Sequence, residues 1–426
     1  MASTQAAAPS GRSYIGPMII VGVLYFIMGF FTWINGTLIS FVQVAFQVSL
    51  AYAFLVTFAF YISYFVLALP SAAILRRTGM KKGMALGLFV MAVGAVMFGQ
   101  FATMRVFPGA LAGLFVIGAG LSLLQTAANP YISILGPIES AARRIAAMGI
   151  CNKFAGILAP IAIGLVLHGI GDIATQVKGA DPAAREALLN DFAAKVHLPY
   201  MVMAAVLVAI GVWVARSVLP EIKPAGANDE HAIGHAGSSI FGFPHLWLGV
   251  LCLFLYVGVE VMAGDAIGTY GQGFGLPLDQ TKFFTAFTLG AMLLGYFAGL
   301  VLIPRFISQQ RYLAVSAVLG VVFVLGALAT TGYVSVMFVA ALGFANAMMW
   351  PAIFPLAIKG LGRHTEAGSA LLIMGIAGGA LIPQVFVHLK DLVNFQSAFA
   401  LLMVPCYLYI LYYGLRGHRV GQRPAD

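Results

Sequence analysis

The stretch from Phe243 to Ala266, FPHLWLGVLCLFLYVGVEVMAGDA, decides the fold class of this chain of 426 residues. It contains no Asp, Glu, Lys or Arg before Glu260, and about 20 mostly apolar residues suffice for one helix to cross a bilayer. Eleven other runs share this character, so the sequence predicts twelve membrane spans. The predicted spans are 15–47, 50–75, 83–104, 108–135, 145–170, 198–218, 243–266, 280–304, 311–331, 333–358, 369–389 and 393–415.

The composition supports the same fold class. Hydrophobic residues make up 61% and charged residues 9% of the chain, whereas a soluble domain has about 45–50% and about 25%. Such a chain cannot cover a water-exposed surface, and its hydrophobicity excludes intrinsic disorder. The apolar runs do not alternate with polar residues as the strands of a transmembrane barrel do. We therefore expect an all-α membrane protein with twelve transmembrane helices, surrounded by the lipid bilayer.

The positions of the basic residues predict the orientation of the bundle. With both termini in the cytoplasm, sixteen Lys and Arg residues fall in cytoplasmic segments or at the span ends beside them. Six fall in outer segments or at the adjoining span ends, and one, Lys153, lies deep within a span. This asymmetry fits the positive-inside rule, so we expect a bacterial-type inner membrane protein with cytoplasmic termini. The net charge of +9 follows from this topology and does not indicate nucleic-acid binding. In one outer segment, Asp181 and Pro182 predict the start of a short amphipathic helix.

The chain divides into two halves of six spans each. A polar segment at 220–242 separates residues 1–219 from residues 243–426, and the Met-Gly-Ile sequence at 148–150 recurs at 374–376. Repeated halves are typical of transporters whose substrate site lies between them. We therefore predict two pseudo-symmetric six-helix domains joined by a cytoplasmic linker.

Three of the 37 charged residues are predicted to lie at membrane depth, away from the ends of the spans: Lys153 in the fifth, and Glu260 and Asp265 in the seventh. Charge at membrane depth is costly and therefore indicates a functional site. A buried carboxylate needs a compensating cation or becomes neutral, which suits it to carry a proton or to bind sodium. Glu260 and Asp265 lie about 140° apart on an unbroken helix, so they face one cavity only if nearby glycines loosen it. A structural ion pair between Glu260 and Lys153 is the alternative interpretation.

Amide side chains also occur within the spans, at Asn35, Gln125, Asn129, Asn152, Asn346 and Gln384. Asn35 and Gly36 interrupt the first span, which is too long for one simple helix, and they predict a break there that faces a cavity. Gln125 and Asn129 share one helix face, and Trp350 follows Asn346 by one helical turn. Amides donate and accept hydrogen bonds as sugar hydroxyls require, and apolar walls with a few polar groups form small-molecule sites. Any single amide could instead join two helices.

Three motifs carry a resemblance to a known transporter family. The first includes QTAANPY at 125–131, LGP at 135–137, Arg144 and Asn152. The second begins PAIFPLAIKGLG at position 351, and the third is YVGVE at 256–260. These motifs resemble the fucose/glucose/galactose–cation symporters of the major facilitator superfamily. The resemblance covers nearly the whole chain and implies the major facilitator fold, in which two six-helix domains rock about one central sugar site.

The chain departs from this family pattern at several positions. Fucose-type members have an acid where this chain has Gly36 and another where it has Gln125, and both acids are associated with proton coupling in that branch. Lys153 stands where a small polar residue is common, and Arg76 and Met80 replace the Asp and Arg of a superfamily loop signature. The resemblance therefore implies glucose, galactose or an N-acetylated hexosamine in preference to fucose. It leaves the coupling ion open between H⁺ and Na⁺.

We expect a symporter that imports a hexose together with a cation by alternating access. Glu260 and Asp265 are expected to carry the coupling charge, with Lys153 releasing or re-forming an ion pair with Glu260. The expected sugar-binding side chains are Asn35, Gln125, Asn129, Asn152, Glu260, Asn346, Trp350 and Gln384. We expect a monomer that is not an enzyme and has no cofactor or metal site, because the spans contain no catalytic triad, metal-ligand spacing or phosphate loop. A sugar uniporter, an exporter and a non-transporting sugar sensor are the alternatives.

Overall fold

The computed structural model describes residues 15–134, 141–219, 239–303 and 305–422. Within these residues the chain forms α-helices joined by short turns. Helices α1 to α10 form the first half and are Ile15–Trp33, Asn35–Ala45, Leu50–Ala53, Leu55–Thr78, Met80–Thr103, Phe107–Ile134, Ala141–Val166, Ile170–Gly179, Pro182–Ala194 and His197–Arg216. Helices α11 to α20 form the second half and are Pro244–Gly264, Ile267–Gln272, Leu278–Thr281, Phe284–Leu302, Gln309–Ala329, Gly332–Asn346, Met349–Ile358, Thr365–Met374, Gly378–Leu392 and Phe395–Leu415.

Twelve stretches of the described chain are long and apolar enough to cross a membrane, which confirms the predicted number. Six are built from the first half, as α1 with α2, α3 with α4, α5, α6, α7 with α8, and α9 with α10. Six come from the second half, as α11, α13 with α14, α15, α16 with α17, α18 with α19, and α20. Most of the linker predicted at 220–242 lies outside the described residues, as does the 135–137 motif, so the domain boundaries stay predictions.

Two local features predicted from the sequence are confirmed. Helix α1 ends at Trp33 and α2 begins at Asn35, so the first span breaks where an Asn and a Gly weaken it. Helix α9 begins at Pro182, and the carboxylate of Asp181 accepts hydrogen bonds from the first N–H groups of that helix. The apolar side of α9 is buried against the first half, through Leu189, Phe192 and Ala193.

The tenth and eleventh spans, predicted as continuous, are broken in the middle. In the tenth, α16 ends at Asn346 and α17 begins at Met349. Pro351 explains this break, because a proline has no N–H to bond the carbonyl of Ala347 four residues earlier. In the eleventh, a 3₁₀ turn at 375–377 separates α18 from α19. These breaks change the direction of side chains that an unbroken helix would place on one face.

The two halves pack together along α7 with α14, and along α4 with α18 and α19. Glycines on α7 allow the first of these approaches. A Cβ atom at Gly149 would lie 2.5 Å from the ring of Tyr296, and one at Gly164 would lie 2.4 Å from the ring of Phe283. Both distances are shorter than van der Waals contact, so a side chain at either position would push the halves apart. A cavity remains between the halves beside these close contacts.

Candidate functional site

A cavity of about 170 Å³ lies between the two halves. Helices α1, α4, α6 and α7 of the first half and α11, α14 and α17 of the second half contribute its walls. The walls are largely aromatic, through Tyr25, Tyr61, Tyr64, Tyr256, Tyr296 and Trp350. A cavity of about 150 Å³ holds a molecule of the size of benzene. The cavity is therefore large enough for a small organic molecule and too small for a macromolecule.

One ion pair crosses the cavity from half to half. The ammonium of Lys153 on α7 lies 3.0 Å from Oε1 of Glu260 on α11, and both residues line the cavity. Their side chains are only 8% and 11% exposed. The same ammonium lies 4.5 Å from the ring centroid of Trp33, in a cation–π contact. The structure thus forms the Glu260–Lys153 pair that the sequence left as an alternative, and it places that pair at the predicted site.

Three of the predicted amides line the cavity, and each forms a hydrogen bond to a tyrosine. Gln125 Nε2 donates to the hydroxyl of Tyr64 at 3.1 Å, while Asn129 Oδ1 accepts from the hydroxyl of Tyr25 at 2.5 Å. Asn152 Nδ2 donates to the main-chain carbonyl of Tyr25 at 3.3 Å. These bonds fix the orientation of each amide before any ligand enters. The first half therefore presents preorganised polar groups to an uncharged ligand.

Trp350 of the second half faces the same cavity from α17. Its ring stacks on Phe354, with the ring centroids 5.9 Å apart and the planes inclined by 21°. The two rings form a flat apolar wall that belongs to the second half, whereas the three amides belong to the first. A ligand that contacts both walls would bridge the two halves.

Four predicted site residues do not line this cavity: Asn35, Asp265, Asn346 and Gln384. Asn35 is fully buried and donates to the main-chain carbonyl of Thr32 at 3.2 Å. Asn346 accepts a hydrogen bond from the hydroxyl of Tyr407 at 2.8 Å, so its side chain faces α20. Gln384 lies half-buried on α19. The sugar contacts predicted for these three amides are therefore not part of the site that the cavity defines.

Asp265 lies at a different contact between the halves. Its Oδ1 accepts from the N–H of Gly36 at 3.2 Å and its Oδ2 from the hydroxyl of Tyr61 at 3.4 Å, and the residue is 1% exposed. Gly36 belongs to the first turn of α2, where a carboxylate interacts favourably with the helix dipole. The helix does break after Gly264, as the glycines suggested. The break directs Asp265 to the N-terminus of α2 and not into the cavity that Glu260 lines.

Further polar contacts join the halves at the end of the bundle that carries α9. Lys282 Nζ donates to the carbonyl of Leu167 at 3.1 Å and pairs with Asp279 Oδ1 at 2.8 Å. Asp279 Oδ2 also accepts from the N–H of Gly171 at 3.0 Å, and the hydroxyl of Thr37 donates to the carbonyl of Lys282 at 3.0 Å. We call these five residues the α9-end cluster. They tie α2, the C-terminal end of α7 and α8 of the first half to α13 of the second half.

Replacing Lys282 with Met is expected to loosen the halves at the α9 end. The Met side chain has similar length but donates no hydrogen bond, so the contacts to Leu167 and Asp279 are both lost. We expect spin labels at the exposed positions Lys178 and Val334 to report longer distances in the variant. Lys390→Met is the matched control, because Lys390 pairs with Asp391 within its own helix. Identical distance distributions for the variant and the wild type would contradict this role of the cluster.

The tyrosines that line the cavity were not among the site residues predicted from the sequence, although two residue spacings indicate them. Tyr61 and Tyr64 are three residues apart on α4 and share one helix face. Tyr256 precedes Glu260 by four residues on α11, so it lies on the face of the charged residue. A tyrosine in the middle of a span carries a hydroxyl that must find a partner. The same requirement applies to an amide within a span, so these tyrosines could have been predicted as site residues by the same argument.

Comparisons with known proteins agree with this architecture. The chain is 32% identical over 414 residues to a glucose/galactose transporter of Brucella abortus biovar 1 (strain 9-941), with 96% of each chain covered. It is 28% identical over 398 residues to an L-fucose-proton symporter of Escherichia coli (strain K12), covering 90% of this chain and 89% of that protein. The solved structure of FucP in the outward conformation superposes with a TM-score of 0.72 at 26% identity, over 97% of this chain and 100% of that one.

The family model described as Major Facilitator Superfamily matches residues 21–383. This match includes the cavity-lining helices of both halves, from Tyr25 on α1 to Ile376 beside α19. The sequence resemblance is thereby confirmed at the level of the family and of the fold. The chain belongs to the Major Facilitator Superfamily of membrane transporters.

Proposed function

We propose that this protein is a symporter that imports a hexose together with a cation by alternating access. The observation that carries this proposal is the cavity between the halves, with oriented amides on one wall and stacked aromatic rings on the other. Hexoses combine hydroxyl groups, which bind amides, with apolar ring faces, which pack on aromatic planes. A ligand that contacts both walls links its own binding to the relative position of the halves. No cofactor takes part.

The charge balance of the site favours an uncharged sugar. Lys153 and Glu260 neutralise each other inside the cavity, so a charged substrate would need a counter-ion that the lining does not offer. The substrates we propose are glucose, galactose or an N-acetylated hexosamine. The printed name of the Brucella abortus relative, a glucose/galactose transporter, supports the first two.

Glu260 is the residue we propose for cation coupling. Its carboxylate faces the cavity and bonds a protein ammonium, so an incoming H⁺ or Na⁺ competes with Lys153 for it. Binding of the cation releases Lys153 and weakens one connection between the halves. Asp265, at the N-terminus of α2, is a second carboxyl group whose surroundings change when the halves separate. We further propose that the protein is a monomer in the inner membrane with both termini in the cytoplasm.

Uptake by proteoliposomes under separately imposed gradients tests the proposed function. We expect one of the three sugars to accumulate above its external concentration under either an inward proton gradient or an inward sodium gradient. Competition among the sugars identifies the substrate, and a protonophore or sodium ionophore serves as the control that removes the gradient. Failure of every sugar to enter under both gradients would contradict the proposal.

A sugar uniporter is the second candidate, and the Lys153–Glu260 pair is the observation that favours it. An ammonium of the protein already neutralises Glu260, so movement of the halves would not require an external cation. A uniporter would let the sugar equilibrate across the vesicle membrane at the same rate with and without either gradient. The gradient experiment therefore separates the two candidates directly.

A further inference from the structure

A second pocket lies at the end of the bundle opposite α9, between the start of α15 and the end of α20. It is open, measures about 440 Å³ and is lined by Ser308, Gln310, Arg311, Gly414, Leu415 and Arg419. The pocket is separate from the cavity between the halves, because all of its lining residues belong to the second half. Two of its six residues are arginines and two others carry neutral polar side chains.

The two arginines of this pocket are available to an anion. Within the described part of the chain, neither Arg311 nor Arg419 forms an ion pair with a carboxylate. A neighbouring histidine fixes the position of Arg419, whose Nε donates to Nε2 of His418 at 3.2 Å. Nδ1 of His418 then donates to the carbonyl of Tyr413 at 2.9 Å. Both histidine nitrogens are used in the neutral form of the ring.

The surroundings of His418 favour this neutral form. Burial lowers the pKa of the His418 imidazole from its ordinary value, and the charges of Arg419 and Lys359 lower it further. A neutral ring keeps Nε2 as an acceptor, so Arg419 remains held near neutral pH. The guanidinium is thus positioned by a residue that adds no charge of its own to the pocket.

The start of α15 adds further donors to the same pocket. Ser308 occupies the N-cap position, and its side chain makes no capping hydrogen bond. The N–H groups of the first turn have no partner within a helix, and helix N-termini attract phosphate and other anions. The pocket therefore combines two guanidinium groups, a hydroxyl, an amide and a helix N-terminus.

Two stripes of lipid-facing side chains lead to this pocket. On α15, exposed apolar residues follow Arg311 at helical spacing: Val315, Val318, Val322 and Leu325. On α20, a second exposed stripe ends at the pocket: Leu401, Leu408, Tyr412 and Leu415. The two helices pack closely, because a Cβ atom at Gly320 would lie 2.5 Å from the ring of Tyr407. Two exposed apolar stripes on neighbouring helices therefore end at a pocket that contains two cations.

We propose that this pocket binds the phosphate group of an anionic phospholipid, with its acyl chains along the two stripes. Arginine binds phosphate oxygens with two parallel hydrogen bonds, and basic pockets between membrane helices bind lipid head groups. The two exposed stripes favour a lipid over free phosphate, because acyl chains can pack on them while the phosphate binds the arginines, whereas free phosphate would contact the arginines alone. The net positive pocket favours phosphatidylglycerol or cardiolipin over phosphatidylcholine, whose own cation is repelled.

Lipid binding to the purified full-length protein in detergent tests the proposal, with native mass spectrometry counting bound lipids. We expect tighter binding of phosphatidylglycerol than of phosphatidylcholine, and a loss of about fivefold in affinity for each of Arg311→Gln and Arg419→Gln. Arg216→Gln is the matched control, because Arg216 ends α10, the last helix of the first half, and lies outside the pocket. The control is expected to keep the affinity of the wild type.

Two further measurements decide the source of the phosphate and the integrity of the variants. Inorganic phosphate and glycerophosphoglycerol, which lack acyl chains, are expected to displace phosphatidylglycerol only at far higher concentration. Equal binding of the compounds without acyl chains would overturn the lipid assignment, as would wild-type affinity in both arginine variants. Thermal unfolding in detergent and sugar binding are expected to be unchanged, because both arginines are exposed and neither lines the cavity. If one variant fails to fold, the other provides the same test.

Discussion

Replacing Glu260 with Gln is expected to abolish uphill accumulation of sugar while downhill exchange continues. Glutamine keeps the size and hydrogen-bonding capacity of the side chain, so the walls that contact the sugar are unchanged. It cannot take up a proton or neutralise a sodium ion, so neither cation gradient can drive sugar accumulation through this residue. Concentrative uptake and sugar counterflow in the same vesicles measure the two activities separately. Glu186→Gln is the control, since Glu186 is an exposed acid on α9 that pairs with Arg105.

The same substitution also affects stability, because Lys153 loses the carboxylate that neutralises it. Removing one partner of a buried ion pair costs about 3–5 kcal/mol, and the remaining contact with the ring of Trp33 offsets only part of this. We therefore expect a lower unfolding temperature for Glu260→Gln. The double variant Lys153→Met, Glu260→Gln removes both charges and is expected to regain stability while staying uncoupled.

The double variant separates loss of coupling from loss of folded protein. If it folds as well as the wild type and lacks concentrative uptake, the defect lies in coupling. Undiminished concentrative uptake by either variant would place the coupling charge on another residue, with Asp265 as the next carboxyl group between the halves.

Replacing Asn129 with Ala is expected to weaken sugar binding by roughly tenfold or more. Asn129 lines the cavity and is held by the hydroxyl of Tyr25. The substitution removes a preorganised polar group that is expected to bind the sugar. It also leaves the Tyr25 hydroxyl without that acceptor. Equilibrium binding of the transported sugar to the purified protein measures the change.

Asn346→Ala is the matched comparison, because both residues were predicted from sequence as sugar ligands. Asn346 is fully buried and accepts from Tyr407, away from the cavity. Its loss leaves a buried hydroxyl unpaired, which costs about 1–3 kcal/mol, so we expect a lower unfolding temperature with unchanged sugar affinity. A large loss of affinity in Asn346→Ala, or none in Asn129→Ala, would contradict the placement of the site.

Local sequence rules were enough to predict the helical framework. The number of spans follows from the length of apolar runs, because each membrane crossing must satisfy its own backbone hydrogen bonds. The break before Asn35 and the start of α9 at Pro182 follow from residues that weaken or begin helices. The break after Asn346 depends on Pro351, five residues further on, and was not predicted although the proline is visible in the sequence.

The candidate site was predicted less completely, because it depends on contacts between helices. Burial of charge singled out Lys153 and Glu260, but only the packing of α7 against the second half shows that their side chains meet. Helix periodicity placed Gln125 and Asn129 on one face, and that face does line the cavity. For Asn346, the same periodicity predicts the helix face on which the side chain lies but not the residue that this face contacts. In the structure that residue is Tyr407.

Lys153 is synthesised well before the residue that neutralises it. The 107 residues between Lys153 and Glu260 take about 5–20 s to translate at about 5–20 residues per second. An unpaired lysine at the centre of a membrane helix costs about 2.5–3.5 kcal/mol during insertion. In that interval Trp33, already translated, is the aromatic ring available to the ammonium, and Glu260 does not yet exist. The first six spans therefore reach their lowest free energy only after the seventh has entered the membrane, which makes assembly of the second half a condition for completing the first.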